Sequence, residues 1–227
     1  VSNLIVMYSI MRRKSYRKSV RKQRKRGGSS QKKDKIDLKK YVVLKQKDVN
    51  LLYDITKKTI DILDKHGVEY WATDGTLLGI MRSKGFIPWD DDVDIAIDIK
   101  DKQKLRSLKD VFDNAGLELV GVGKYMKVKT SNKDVWIDIF ILKNGKWPQQ
   151  HYSDICFLNK NELYPIQKKK GKFGKLKMNI PNKSGKYLNR IFKDWKDVAY
   201  IYNHHTKGKK KISFKEHPEL KKPTLSK

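Results

Sequence analysis

The chain has 227 residues and a formal net charge of +28, which allows one ordinary domain with flanking tails. Its single cysteine, Cys156, excludes an intrachain disulfide framework, and no apolar run reaches the roughly 20 residues that cross a bilayer. Residues 11–40 carry 15 Lys or Arg and two Asp or Glu, residues 41–166 carry 19 of each sign, and residues 167–227 carry 19 against four. A neutral middle between basic flanks argues against a uniformly basic nucleic-acid-binding protein.

The two flanks are predicted to be tails around a folded domain over residues 45–206. Residues 1–40 have high like charge and few large apolar side chains, so we expect a basic disordered tail. Residues 207–227 are predicted to form a loose, Lys-rich C-terminal tail. Solvation alone, nuclear targeting, and contact with nucleic acid or an anionic membrane all remain open as roles for these tails. The lack of a signal-peptide pattern predicts a cytoplasmic protein.

Helices and strands are predicted throughout the middle of the chain. Apolar residues at helical spacing indicate the first helix, and strict alternation of apolar and acidic residues indicates the strand over 93–99. The predicted order is a helix over 48–66, a strand over 68–72, a turn at 74–76, a helix over 77–81, a strand over 93–99, a helix over 102–114 capped by Asp101, strands over 117–122, 125–130, 135–142 and 173–180, and a helix within 181–192. This order predicts an α+β fold with helices packed on a mixed sheet.

The most informative segment is WATDGTLLGIMRSKGFIPWDDDVDIAID, which has four acids within five positions: Asp90, Asp91, Asp92 and Asp94. On an alternating strand, Asp92 and Asp94 point to the same face, about 6.6 Å apart along the strand. Paired carboxylates of this kind bind hard divalent ions such as Mg²⁺. The alternative is an exposed acidic loop, which the adjoining apolar residues disfavour.

A third carboxylate, Asp138, stands inside the otherwise apolar run WIDIF. A buried aspartate is unfavourable unless it is paired, hydrogen-bonded or bound to a metal. If its strand neighbours the strand of Asp92 and Asp94, the three acids form a two-metal phosphoryl-transfer site. If it does not, Asp138 is a strand-edge residue.

Gly75 and Thr76 lie between a predicted strand and a short helix, where backbone N–H groups can approach a phosphate. Arg82 follows six residues later and is a candidate partner for a phosphate oxygen. Weaker candidates are Lys127 and Lys129, as phosphate contacts or solvated strand-edge lysines, and His204-His205, which have no Cys or His partners nearby in the sequence.

The run DGTLLGIMRSKGFIPWDDDVDIAI resembles the core motif of the LicD family, which includes the fukutin-related transferases, within the nucleotidyltransferase-fold superfamily. The superfamily pattern is a Gly-Thr or Gly-Ser pair, an Asp-x-Asp pair and a third acid on a later strand. It matches Gly75 and Thr76, Asp92 and Asp94, and Asp138. The resemblance extends over about residues 49–195.

This resemblance implies a nucleotidyltransferase-like fold and transfer of a phospho-alcohol, such as phosphocholine or ribitol phosphate, from a CDP-linked donor to a glycan hydroxyl. It implies Mg²⁺ or Mn²⁺ as cofactor, with Asp92 and Asp94 holding the ion against the donor pyrophosphate. Asp138 would complete a second metal site or accept the attacking hydroxyl's proton. Gly75 and Thr76 would seat the phosphate and Arg82 would offset developing negative charge. We therefore expect Asp92, Asp94 and Asp138 to be catalytic.

Two other functions stay open at this point. The same carboxylates serve a nucleotidyltransferase that uses an NTP and releases pyrophosphate. A non-enzymatic protein with a degenerate core would instead bind nucleic acid or an anionic membrane through its basic tails, with an affinity that falls steeply with salt.

Overall fold

The computed structural model describes residues 44–122, 125–131, 135–143, 158–203 and 208–227, and only the backbone of residues 122, 202, 203, 208 and 209. The predicted tail over residues 1–40 lies outside these ranges, and so do Cys156 and His204-His205.

Six helices and nine strands form the described part of the fold. In chain order they are α1 (Gln46–Lys65), β1 (Tyr70–Ala72), α2 (Asp74–Arg82), β2 (Val93–Asp98), α3 (Lys102–Ser107), α4 (Lys109–Asn114), β3 (Glu118–Val122), β4 (Tyr125–Lys129), β5 (Trp136–Leu142), α5 (Lys160–Leu163), β6 (Gln167–Phe173), β7 (Leu176–Ile180), α6 (Ser184–Ile191), β8 (Val198–Asn203) and β9 (Gly208–Ser213). Short 3-10 helices cover Ile99–Asp101 and Pro218–Lys221.

Five strands form the central sheet in the order β1-β2-β5-β4-β3. Strands β2 and β5 are parallel, and every other neighbouring pair in this sheet is antiparallel. The predicted α+β fold with a mixed sheet is therefore confirmed. The position of β2 between β1 and β5 explains why all six of its residues are buried, the aspartates included.

The two faces of the central sheet differ in chemistry because side chains alternate along each strand. Val93, Ile95 and Ile97 of β2 belong to the apolar face and are fully buried. Helix α1 contacts β4, β5 and α4, and its own Ile55 and Leu63 have no exposed surface. The other face carries Asp94 and Asp138 beside the buried Ala96 and Phe140, so the acids of the sheet are gathered on one face.

Three local predictions differ from the structure. The helix predicted over 102–114 is two shorter helices that meet at Leu108, and the side chain of Asp98, not Asp101, accepts a capping hydrogen bond from the Lys100 N–H. The strand predicted over 173–180 begins only at Leu176, as β7, because a turn with Gly174 at a φ of 60° joins it to β6, which ends at Phe173. The turn predicted at 74–76 is the first turn of α2.

The prediction of a loose C-terminal tail is wrong from residue 208 onward. Strand β9 pairs along its length with β8, and Phe214 and Leu220 are buried. Further on, the Thr224 N–H donates to the Phe86 carbonyl over 2.8 Å, and the Tyr53 hydroxyl donates to the Thr224 carbonyl over 3.0 Å. The described C-terminal residues are thus packed against the folded domain.

Within the described ranges, no helix combines the length and the apolar character that crossing a membrane requires.

Candidate active site

The parallel pairing of β2 with β5 places Asp94 directly beside Asp138 in the sheet. Asp92 lies two residues before Asp94, on the same face. One carboxylate oxygen from each of these three residues lies within 4.8 Å of the others. All three side chains are buried, with relative exposures of 6% for Asp92, 1% for Asp94 and none for Asp138. The structure therefore brings together the three acids that the sequence singled out.

A second group of acids adjoins the first. Asp90, Asp91 and Asp92 also offer one oxygen each within 4.8 Å of one another, so Asp92 belongs to both groups. Asp90 and Asp91 are half-buried. The acids form a continuous patch that runs from the loop before β2 into the sheet.

Crowding and burial disfavour ionisation of these acids. Burial, followed by repulsion from Asp90 and Asp91, raises the pKa of Asp92 well above its ordinary value. Burial and repulsion from Asp92 do the same to the pKa of Asp94. Burial, with a smaller contribution from Asp91, raises the pKa of Asp90 to about 7. A bound cation would remove this penalty, because it favours the charged form of every carboxylate around it.

The oxygens at the centre of the patch lack good protein hydrogen bonds. Asp94 Oδ1 and both carboxylate oxygens of Asp138 are buried without a hydrogen-bond partner. Asp138 Oδ1 lies 3.1 Å from the Lys127 ammonium, which is an ion-pair distance without the alignment of a hydrogen bond. Buried polar atoms are normally satisfied. Oxygen ligands of this kind suit a hard divalent cation, so the residues fit Mg²⁺ or Mn²⁺.

Gly75 stands next to the acids, at the second residue of α2. A Cβ atom at this position would lie 2.5 Å from Asp90 Oδ2. The missing side chain of Gly75 therefore leaves room for Asp90. A phosphate-seating role for Gly75 stays a prediction.

Thr76 connects α2 to β2. Its hydroxyl oxygen accepts a hydrogen bond from the Asp94 N–H over 2.8 Å, and the side chain is buried. This bond fixes the position of the strand that carries the central aspartate. A phosphate contact by Thr76 stays a prediction.

Arg82 lies at the end of α2, between two aromatic rings. Its guanidinium carbon is 5.8 Å from the centre of the Trp89 ring and 5.2 Å from that of Phe214. Burial lowers the pKa of Arg82 to about 10, and the charge of Asp90 offsets part of that effect. Arg82 Nε is buried without a hydrogen-bond partner. Its ring partner Phe214 belongs to the segment that was predicted to be a loose tail.

Sequence reasoning missed Asp74, a further acid at the first residue of α2. Its φ of 44° is in the left-handed region, and the Tyr187 hydroxyl donates to Asp74 Oδ1 over 3.2 Å. Burial raises the pKa of Asp74 to about 6, and its charge also contributes to the raised pKa of Asp94. The signal was the acid immediately before Gly75, which was interpreted only as a turn residue. Tyr187 itself is buried.

Comparison with known proteins gives three findings. The family model "LicD/FKTN/FKRP, nucleotidyltransferase domain" matches residues 67–183. The uncharacterized protein RP689 of Rickettsia prowazekii (strain Madrid E) is 33% identical over 202 residues, which cover 82% of this chain and 73% of that protein. The match to "Ribitol 5-phosphate transferase FKRP" of Mus musculus is 30% identical over 113 residues, covering 45% of this chain and 23% of that protein.

A further, shorter match is to "Lipopolysaccharide cholinephosphotransferase LicD" of Haemophilus influenzae (strain ATCC 51907 / DSM 11121 / KW20 / Rd). It is 47% identical over 34 residues, which cover 15% of this chain and 13% of that protein. The chain thus matches less than a quarter of the length of the two relatives whose names state an activity.

Proposed function

Because the chain belongs to the LicD/FKTN/FKRP nucleotidyltransferase-domain family, we propose that it transfers a phospho-alcohol group from a CDP-linked donor to a glycan hydroxyl. The names of two relatives support transfer of this class, one as a ribitol 5-phosphate transferase and one as a cholinephosphotransferase. The proposed cofactor is Mg²⁺ or Mn²⁺.

The observation that carries the proposal is the meeting of Asp92, Asp94 and Asp138 on one face of the sheet. Three buried carboxylates, of which Asp94 and Asp138 have oxygens without a well-aligned hydrogen-bond partner, are unstable as anions unless a cation joins them. A divalent ion held there would neutralise the donor pyrophosphate and polarise the phosphorus that is attacked. Cation binding would account for three acids at buried positions where apolar residues would be more stable.

The surrounding residues have defined tasks in this proposal. Thr76 holds β2 in place through the Asp94 N–H, and Gly75 leaves the space that Asp90 occupies. Arg82, kept between Trp89 and Phe214, would supply positive charge toward the departing CMP. Phosphoryl transfer depends mainly on alignment and charge neutralisation, and these are what the residues supply.

A donor panel tests the proposal. The protein is incubated with CDP-choline, CDP-ribitol, CTP and ATP, in Mg²⁺ and in EDTA, and the products are followed by ³¹P NMR. Water serves as a slow acceptor where no glycan is present, so donor cleavage is visible before the acceptor is known.

The phosphorus-containing leaving group decides between the candidate reactions. Mg²⁺-dependent release of CMP from a CDP-alcohol is the expected result. Release of pyrophosphate from CTP or ATP, without CMP from either CDP-alcohol, would replace the proposal with a nucleotidyltransferase activity.

A further inference from the structure

Lys127 is a cation built into the acidic site. It lies opposite Asp138 in the antiparallel pairing of β4 with β5, and its Nζ is 3.1 Å from Asp138 Oδ1. The Asp138 side chain has no exposed surface, and that of Lys127 is 23% exposed. Of Asp92, Asp94 and Asp138, only Asp138 forms an ion pair within the described residues.

Aromatic rings hold the Lys127 ammonium in this position. It lies 4.1 Å from the centre of the Trp136 ring and 5.7 Å from the centre of the Tyr125 ring. Tyr125 is two residues from Lys127 on β4, and Trp136 is two residues from Asp138 on β5, so both rings share its face of the sheet. An ammonium over an aromatic face is stabilised where it sits, and this ammonium is therefore fixed beside Asp138.

The charge balance within the group of Asp92, Asp94 and Asp138 suits one divalent ion. Its three ionised carboxylates are neutralised by one divalent ion together with one ammonium, and the neighbouring group of Asp90 and Asp91 shares only Asp92 with it. A second divalent ion would lie about 3.5–4 Å from the first, as in two-metal sites. A second divalent ion that shared Asp138 with the first would meet the Lys127 ammonium beside the same carboxylate, where like charges repel strongly. Asp138 Oδ2 is buried without a well-aligned hydrogen-bond partner, which leaves it as a candidate ligand for the first ion.

We propose that the Lys127 ammonium takes the place of one of the two metal ions, so that the site binds a single divalent cation. This inference rests on the proposed function only in assuming that Asp92, Asp94 and Asp138 bind a cation. It replaces the two-metal arrangement with one ion and one lysine. A lysine that served only strand pairing or solvation would have no effect on the number of bound ions.

Counting bound Mn²⁺ tests the inference without any turnover. Electron paramagnetic resonance of free Mn²⁺ gives the number of ions bound per chain at saturation, with and without CDP. The variants are Lys127→Met, which removes the charge and keeps the length, and Lys127→Arg, which keeps the charge. Lys129→Met is the matched control, because Lys129 is on the same strand and face. Its ammonium lies 3.1 Å from Glu118 and forms its ion pair there, not with Asp138.

The wild type, Lys127→Arg and Lys129→Met are expected to bind one Mn²⁺ per chain, and Lys127→Met is expected to bind two. Two ions on the wild type would overturn the inference, and so would a single ion on a folded Lys127→Met protein. The wild-type count decides even if Lys127→Met does not fold. No Mn²⁺ on the wild type would overturn the metal assignment as well, whereas failure of the donor panel alone would remove only the proposed reaction.

Discussion

The Thr76 hydroxyl accepts a hydrogen bond from the backbone N–H of Asp94, and this bond joins the first turn of α2 to the strand that carries the acids. Nearby, the Thr73 N–H donates to the Asp94 carbonyl over 3.2 Å. Both backbone groups of Asp94 are thus held by the segment that contains the Gly-Thr pair. Through Thr76, the Gly-Thr pair therefore fixes the backbone position of Asp94.

Replacement of Thr76 by valine is expected to lower the free energy of unfolding by about 1–3 kcal/mol, because it leaves the buried Asp94 N–H without a partner. Affinity for Mn²⁺ should fall as well, since Asp94 loses its anchor. Urea unfolding and Mn²⁺ titration measure the two effects. Thr76→Ser keeps the acceptor and should retain most of the wild-type affinity. Equal Mn²⁺ affinities for Thr76→Val and the wild type would show that the bond does not position Asp94.

Gly75→Ala is expected to weaken Mn²⁺ binding several-fold, because its Cβ would lie 2.5 Å from Asp90 Oδ2 and must displace that carboxylate. Gly185→Ala in α6 is the control, since no atom lies within 4 Å of a Cβ there. That change should leave Mn²⁺ binding unaltered and stabilise the helix by about 0.5–1 kcal/mol. Mn²⁺ titration measures both affinities. Similar values for Gly75→Ala and Gly185→Ala would show that a Cβ at position 75 does not disturb the metal site.

Asp92→Asn is expected to stabilise the metal-free protein at pH 8. Burial and repulsion raise the pKa of Asp92 in the folded state, so the wild type loses stability as pH rises from the unfolded-state value through the raised one. Asp92→Asn does not lose stability in this way. Urea unfolding in EDTA between pH 4 and pH 9 measures the difference in the free energy of unfolding between the two proteins. Added Mg²⁺ should stabilise the wild type and have little effect on Asp92→Asn. A wild type that is more stable than Asp92→Asn at pH 8 in EDTA would contradict the account.

Glu162→Gln is expected to lower the free energy of unfolding near pH 7 by on the order of 2–3 kcal/mol. The hydrogen bond from Arg190 lowers the pKa of Glu162 to about 2, and the side chain is buried. Because the folded-state pKa is depressed, this stability is present above about pH 4.5 and is lost as pH falls toward 2. The free energies of unfolding of the two proteins should converge over that range. A difference that stays constant at every pH would show that the ion pair does not cause it.

The sequence predicted the face on which the acids lie, because a period of two fixes which side chains of β2 point together. It did not predict that Asp138 would adjoin Asp94, since strand order depends on packing across the whole sheet. The pairing of Lys127 with Asp138 was equally hidden, because cross-strand register cannot be derived from either strand alone. The Gly-Thr pair was identified, but its contacts with Asp90 and Asp94 depend on how α2 packs against β2, which the sequence does not reveal.

The C-terminal strand was missed because its lysines obscured a short apolar pattern. In β9 and the residue that follows, Ile212 and Phe214 are buried, whereas Lys210 and Lys211 are exposed. Two buried apolar positions are too few to produce a clear strand pattern in such a lysine-rich stretch. Lysine stems can cover apolar surface while the ammonium stays in water, so a lysine-rich segment can still form part of a fold.

The most direct test of the central claim compares CMP release by the wild type with that by Asp94→Asn. Each protein is incubated with CDP-ribitol or CDP-choline and Mg²⁺, and Asp98→Asn provides a control on the same strand and face, where an amide oxygen can still accept from the Lys100 N–H. The account predicts Mg²⁺-dependent CMP release by the wild type and Asp98→Asn, and a loss of at least about a hundredfold in Asp94→Asn, in line with removal of a group that stabilises transition-state charge. Undiminished CMP release by a folded Asp94→Asn protein would contradict it.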